Sequence, residues 1–222
     1  MTASARRKAY AKSISSLLSA RERKIFRALS TPNKIQDFLD NLPANFELSG
    51  ETNFSAVRVL SEKRAHCLEG AVFAVAVLRF HAQEAFLMDF QTRYDDEDHV
   101  VAVFKKDHYW GAISKTNHSV LRFRDAIYRS PRELALSYAH EYFMWDGRKS
   151  LRAFSKPFDM TRYGPERWVS VREDLHWLPE VLDKSPHFPV LPKMKMKLRN
   201  VANIEIANMK NTEWSKKGKR NF

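Results

Sequence analysis

Apolar residues recur at Tyr10, Ile14, Leu17, Leu18, Ile25 and Leu29, with Lys and Arg between them. That spacing predicts one amphipathic helix over residues 6–29. Thr31-Pro32 offers an N-cap and a first-turn proline, and Ile35, Phe38 and Leu39 then form one face of a short helix ending before Pro43. The two make a helical hairpin. Residues 43–66 lack a clear period and read as surface loop or short helix. From Leu68 to Phe80 nearly every position is apolar, too long a run for one strand, so the stretch reads as a helix buried on most sides with Cys67 at its N-terminal end. Ala85–Phe90, His99–Phe104 and Tyr109–Ser114 are rich in Val, Ile and aromatic residues and predict three consecutive strands. Lys105-Lys106-Asp107-His108 closes a hairpin between the last two. Ser130-Pro131 opens a further helix running through Leu134 to about Phe143. Beyond Trp145 strands are expected at Phe154–Phe158 and Arg167–Val171, a short helix near Leu178, and a mobile or loosely docked basic tail after Pro192. The class is α+β, with a central helix starting at the cysteine and packed on an antiparallel sheet. Residues 1–30 form a basic amphipathic flank, 31–190 the domain and 191–222 a basic C-terminal tail.

With 222 residues, 44% of them apolar, the chain is long enough to bury a substantial core. Its longest apolar run, Ala71–Leu78, is far short of the roughly 20 residues that span a bilayer, and the N-terminus lacks the apolar core of a secretory signal. The expected compartment is the cytoplasm. A single cysteine excludes an intramolecular disulfide and leaves Cys67 as a free thiol, either packing or chemistry. The formal charge of +12 is unevenly spread. Residues 1–29 hold eight Lys or Arg against Glu22, and residues 191–222 hold nine against Glu205 and Glu213, which leaves the middle slightly acidic. Basic ends of this kind read as solubilising or partner-binding segments, with a possible anionic partner such as nucleic acid, rather than as a basic face on a folded core.

A thiol at the start of a buried helix has a chemical use. The helix N-terminus carries unpaired N–H groups and the positive end of the dipole, which stabilise a thiolate and can donate to an oxyanion. A histidine on a strand can take the thiol proton and return it to a leaving group, and a polar side chain on the next strand can fix the imidazole tautomer. Three blocks fit these roles: Arg64-Ala65-His66-Cys67-Leu68-Glu69-Gly70-Ala71, Asp98-His99-Val100-Val101-Ala102-Val103-Phe104 and Trp110-Gly111-Ala112-Ile113-Ser114.

Together they resemble the core blocks of the papain and transglutaminase-like superfamily, in particular a bacterial branch of cysteine proteinases. The resemblance covers roughly residues 31–145. It implies a papain/transglutaminase-like core, Cys67 as nucleophile and His99 as base. The family places an aspartate, or in papain-like relatives an asparagine, at the end of the next strand. This chain departs from that pattern: fifteen residues past His99 stands Ser114, and Asn117 follows three residues on. Both are candidates for orienting His99, the serine as the weaker partner.

Other residues are read more plainly. His66 could stand near the nucleophile or serve as a loop or partner contact. Asp95-Asp96-Glu97-Asp98 reads as a solvated acidic turn rather than a calcium loop, since it lacks the glycine and the spaced ligands. Carboxylates close to His99 would nevertheless favour a thiolate–imidazolium pair. No zinc spacing or phosphate-binding glycine loop occurs, so no cofactor and no metal is expected. Two functions follow: a thiol-dependent hydrolase or acyltransferase acting on peptide or glutamine amides of a peptide or protein substrate, or a catalytically weak fold serving as a protein- or nucleic-acid-binding module.

Overall fold

The computed structural model describes residues 2–192 and 196–221. Among the described residues, eight α-helices and six strands run in the order α1 (Ala3–Leu17), α2 (Ala20–Ala28), α3 (Pro32–Asp40), α4 (Ala56–Glu62), α5 (Cys67–Phe80), β1 (Ala85–Gln91), β2 (His99–Lys106), β3 (Tyr109–Ile113), β4 (Arg124–Tyr128), α6 (Pro131–Tyr138), β5 (Ala153–Ser155), α7 (Trp177–Asp183), β6 (His187–Pro189) and α8 (Asn203–Met209).

The strands form one antiparallel sheet in the order β4-β3-β2-β1-β5-β6. α5 packs on it, and every residue of that helix from Leu68 to Arg79 is buried. Alternate sheet residues face two cores. Leu87, Val100, Ala102, Phe104 and Ile113 join α5, while Met88, Val101, Val103 and Ala112 join Leu134, Ala135 and Tyr138 of α6. The expected α+β arrangement, with N-terminal helices and a central helix starting at Cys67 on an antiparallel sheet, is the one observed.

The boundaries differ where capping chemistry overrides periodicity. One helix over residues 6–29 is instead two, because Ser19 N-caps α2 through a reciprocal capping box with Glu22. The predicted four-residue turn shortens to Asp107-His108, both with positive φ (50° and 72°), the two-residue form that keeps the strand twist and carries β2 out to Lys106. α6 stops at Tyr138, before Phe143. Arg167–Val171 is not a strand; residues there form a tight 3-10 turn and irregular chain.

The described part of the C-terminal segment is docked rather than loose; residues 193–195 and 222 lie outside the described residues. Met209 and Trp214 are buried, and His118 bridges to Thr212. Glu213, also buried, pairs with Arg122 at 2.9 Å and Arg220 at 2.6 Å. Apolar anchors and paired charges hold basic residues whose composition alone suggested a tail. Among the described residues no helix is long and apolar enough to cross a membrane.

Candidate active site

Local chemistry fixes where α5 begins. Lys63, left-handed at φ 55°, ends α4, and Ala65 then pairs with the backbone of Pro43 and Asn45. His66 takes an extended N-cap conformation, and its backbone N–H donates to Glu69 Oε2 at 2.9 Å. Glu69 is fully buried, yet its carboxylate also accepts from Thr52 Oγ1 (2.8 Å), Asn45 Nδ2 (3.0 Å) and Phe54 N (3.1 Å). One carboxylate thus satisfies the helix start and clamps loop 43–55 over it, at the end of the dipole that favours negative charge. Cys67, next after His66, is half-buried and lines a cleft.

Two imidazoles act on the Cys67 thiol. Burial pushes its pKa up, but His66 and His99, as hydrogen-bond partners and as charges, outweigh burial and hold the thiol well below its ordinary value. His66 is held through Nε2, 2.9 Å from the Thr52 carbonyl and 3.4 Å from Glu69 Oε1, which leaves Nδ1 for the sulfur. Burial pulls His66 down, but Cys67, Glu69 and the Thr52 carbonyl together raise it to about 10.

His99 opens β2, and Ser114 follows the last residue of β3. Continuing the register Ala102↔Ile113 places Ser114 opposite Val101, on the same sheet face as His99 and diagonal to it. His99 Nε2 lies 2.9 Å from Ser114 Oγ, and the serine hydroxyl donates its own proton to the Leu121 carbonyl at 2.6 Å. A hydroxyl has one proton, so Ser114 accepts from His99 Nε2–H, and the other ring nitrogen is the one available to Cys67.

Asn117 is not brought to His99. Its side-chain oxygen accepts from Trp214 N at 2.7 Å and its amide donates to Trp214 O at 3.0 Å, so both polar atoms serve the docked C-terminal segment.

The approach of β3 to the helix start depends on a glycine. Lys115 passes directly over Gly70, and a Cβ there would come within 2.4 Å of the lysine Cβ. Beyond it the buried Lys115 ammonium caps the end of α3, donating to Leu39 O at 2.8 Å and to Leu42 O. Burial pulls its pKa down to about 8.

Hard-metal ligands gather in one group among the described residues. Carboxylate oxygens of Asp89, Asp98 and Asp183 lie within 4.8 Å of one another, and His187 Nε2 is 3.0 Å from Asp89 Oδ2. Burial raises Asp89 to about 6. The group contains no thiol, and nothing in the arrangement of Cys67, His66 and His99 requires an ion.

Sequence reasoning singled out Cys67, His99 and Ser114, which the fold brings together. It gave Glu69 no role and left His66 undecided. The signal for both was the capping spacing His66-x-x-Glu69, obscured because a histidine holds the position usually given to serine or threonine. No protein-family model matches this chain, and no curated protein is similar to it at a significant level.

Proposed function

We propose that this protein is a thiol-dependent amidohydrolase or acyltransferase built on a papain/transglutaminase-like core. The observation that carries the reading is a cysteine in the first turn of a buried helix, its pKa drawn down between two imidazoles, one of which is tautomerically fixed by a hydroxyl on the next strand.

The chemistry follows from those positions. His99 takes the Cys67 thiol proton on the ring nitrogen that faces the sulfur, and the thiolate attacks the carbonyl carbon of a peptide or glutamine amide while the carbonyl electrons move onto oxygen. Main-chain N–H groups of Cys67 and Leu68, which have no acceptor behind them in the helix, can receive that oxyanion. Collapse breaks the C–N bond, the departing nitrogen takes a proton from His99, and an acyl thioester remains. Water or an amine then attacks the thioester while His99 accepts its proton, and the thiolate leaves. Water makes the protein a hydrolase, and an amine makes it a cross-linker. Ser114 performs the orienting task given to aspartate or asparagine in the superfamily, with one hydrogen bond and no charge.

Alkylation by iodoacetamide across pH, in the native protein and in His99→Ala, tests the proposal. A rate plateau persisting well below the free-thiol pKa of about 8.5, and reduced in His99→Ala, is expected. Ordinary thiol behaviour indifferent to His99 would leave a fold without this chemistry and favour the binding-module reading.

A further inference from the structure

The cleft at Cys67 has a charge opposite to that of the chain. It encloses about 760 Å³ and is walled by Asp95, Asp96, Glu97, Asp98 and Glu141. Among the described residues none that lines it is a lysine or arginine, although the chain holds 38 of these against 26 Asp and Glu. Two of the carboxylates are neutralised from outside, Asp95 by Arg93 and Arg148 and Glu141 by Arg124. Glu97 and Asp98 are exposed, and neither they nor Asp96 forms an ion pair among the described residues. Asp98 instead accepts from Thr92 N and Oγ1, and Asp96 from Glu97 N, contacts that fix the loop and leave its negative charge uncompensated.

An aromatic side chain lines the same cleft. Trp145 lines the cleft with 58% of its surface exposed, an uncommon cost for an indole, and among the described residues its one aromatic neighbour is His118, in a T-shaped pair at 6.2 Å. An exposed indole near uncompensated carboxylates suits an alkylammonium or guanidinium group, which binds the ring face while its charge meets the acids. Such a cleft, opening on a nucleophile, specifies more than an acidic surface would.

We infer that the Cys67 cleft selects polypeptide segments carrying a lysine or arginine beside the reacting amide. The inference rests on the reading of Cys67 as nucleophile, and it supplies the substrate class which that reading leaves open. The cationic side chain lies between Trp145 and the Asp96–Asp98 turn, and this places the neighbouring carbonyl at the sulfur. The net charge of +12 predicts the reverse preference, so the sign of the effect is diagnostic.

The test uses three methanethiosulfonate reagents of similar size, bearing an ammonium, a neutral methyl and a sulfonate group, on the full chain at low ionic strength. Each rate is divided by that of free cysteine, and the cationic-to-anionic ratio is read in the native protein and in Asp96→Asn/Glu97→Gln. A ratio several-fold above unity, falling about fivefold in the variant, is expected, since two charges near the reagent act with opposite sign on its two forms. A ratio at or below unity, or one unchanged in the variant, overturns the inference. Protection supplies a second readout: a short lysine-containing peptide should slow alkylation of Cys67 by the neutral reagent, and a glutamate-containing peptide of the same length should not. Equal protection by the two would also overturn it. The outcome is separable from that of the function itself. A thiol with ordinary pH behaviour refutes the nucleophile reading, yet its charge ratio can still be measured.

Discussion

Ser114 Oγ accepts from His99 Nε2 at 2.9 Å and simultaneously donates to the Leu121 carbonyl at 2.6 Å, so a single hydroxyl determines which imidazole nitrogen faces Cys67. Leu121 is itself held in the left-handed region, with φ 61°, and its N–H is fixed by Glu141 at 2.9 Å. On the proposed function, the relay accounts for a serine at the position where the resemblance implies an aspartate. A carboxylate at that position would set an acceptor against the Leu121 carbonyl with no proton between them. Ser114→Ala should therefore lower the thiolate alkylation rate at neutral pH about fivefold, the worth of one net hydrogen bond of ~1 kcal/mol. Ser114→Asp should do no better than alanine. A faster rate in Ser114→Asp, by the same alkylation assay, would refute this account of the relay.

Asn117 makes the contrasting prediction. Both of its amide atoms hold Trp214, so Asn117→Ala should loosen the C-terminal segment while leaving the alkylation profile of Cys67 within about twofold of native. Limited trypsin digestion at Lys216, Lys217 and Lys219 is the measurement, because cleavage requires the backbone to open locally. A large change in thiol reactivity without faster cleavage would instead tie Asn117 to His99.

How far the site was legible in the sequence depended on the kind of signal. The continuous apolar run after Cys67 and the three strand-like runs were read correctly because burial on both faces leaves few polar positions to confuse the period. Cys67, His99 and Ser114 could be placed because they sit at the ends of those elements. What escaped was carried by caps and docking. Ser19 breaks a helix that periodicity had run together, Glu69 organises a loop without apolar pattern, and Trp214 anchors a segment that reads as basic tail by composition. In each case one or two side chains decide the structure, and an average over a window does not register them.

Glu69 offers the sharpest stability test. Its buried carboxylate accepts from four donors, three on loop 43–55 and one at the start of α5, so Glu69→Gln replaces one acceptor oxygen with an NH₂ group that faces donors. A loss of about 3 kcal/mol in urea unfolding is expected, as for other broken buried networks, with the slope of the transition unchanged. A loss below about 1 kcal/mol would mean that the network reorganises around the amide.

Gly70 is required by the approach of Lys115 rather than by its own backbone. Gly70→Ala places a methyl 2.4 Å from the lysine Cβ, and neither atom lies at the flexible end of a side chain. Relief requires β3 to move away from α5, carrying Ser114 with it. The variant should lose about 1–3 kcal/mol, typical of overpacking, even though alanine is the better helix former. Its Cys67 should also react more slowly at neutral pH, and the two effects should appear together in denaturation and alkylation measurements. Wild-type stability in Gly70→Ala would show that the crossing is looser than the geometry implies.

The last prediction concerns pH and the partnership of His66 with Cys67. Thiolate reactivity should stay level to lower pH than that of a free thiol, because His66 and His99 hold the Cys67 thiol well below its ordinary value. In His66→Ala one of the two lowering partners is gone, so the acid limb should move upward while stopping short of the free-thiol value of about 8.5, since His99 remains. Stability supplies an independent sign. Taken alone, His66, raised from 6.5 to about 10, contributes fully below 6.5 and loses its contribution as pH rises through 10. Taken alone, Cys67, lowered from 9.0, contributes fully above 9 and loses its contribution as pH falls through its folded value. At pH values below 9 that lie above both 6.5 and the folded Cys67 value, the unfolded chain holds one proton on the thiol and the folded chain holds one on an imidazole beside it, so the pair's contribution is level there and declines on both sides. The difference in melting temperature between native protein and His66→Ala should therefore be greatest across that window and shrink towards pH 5 and pH 10. A difference that rises or falls steadily with pH would show that one of the two groups titrates alone and that the pair does not share a proton.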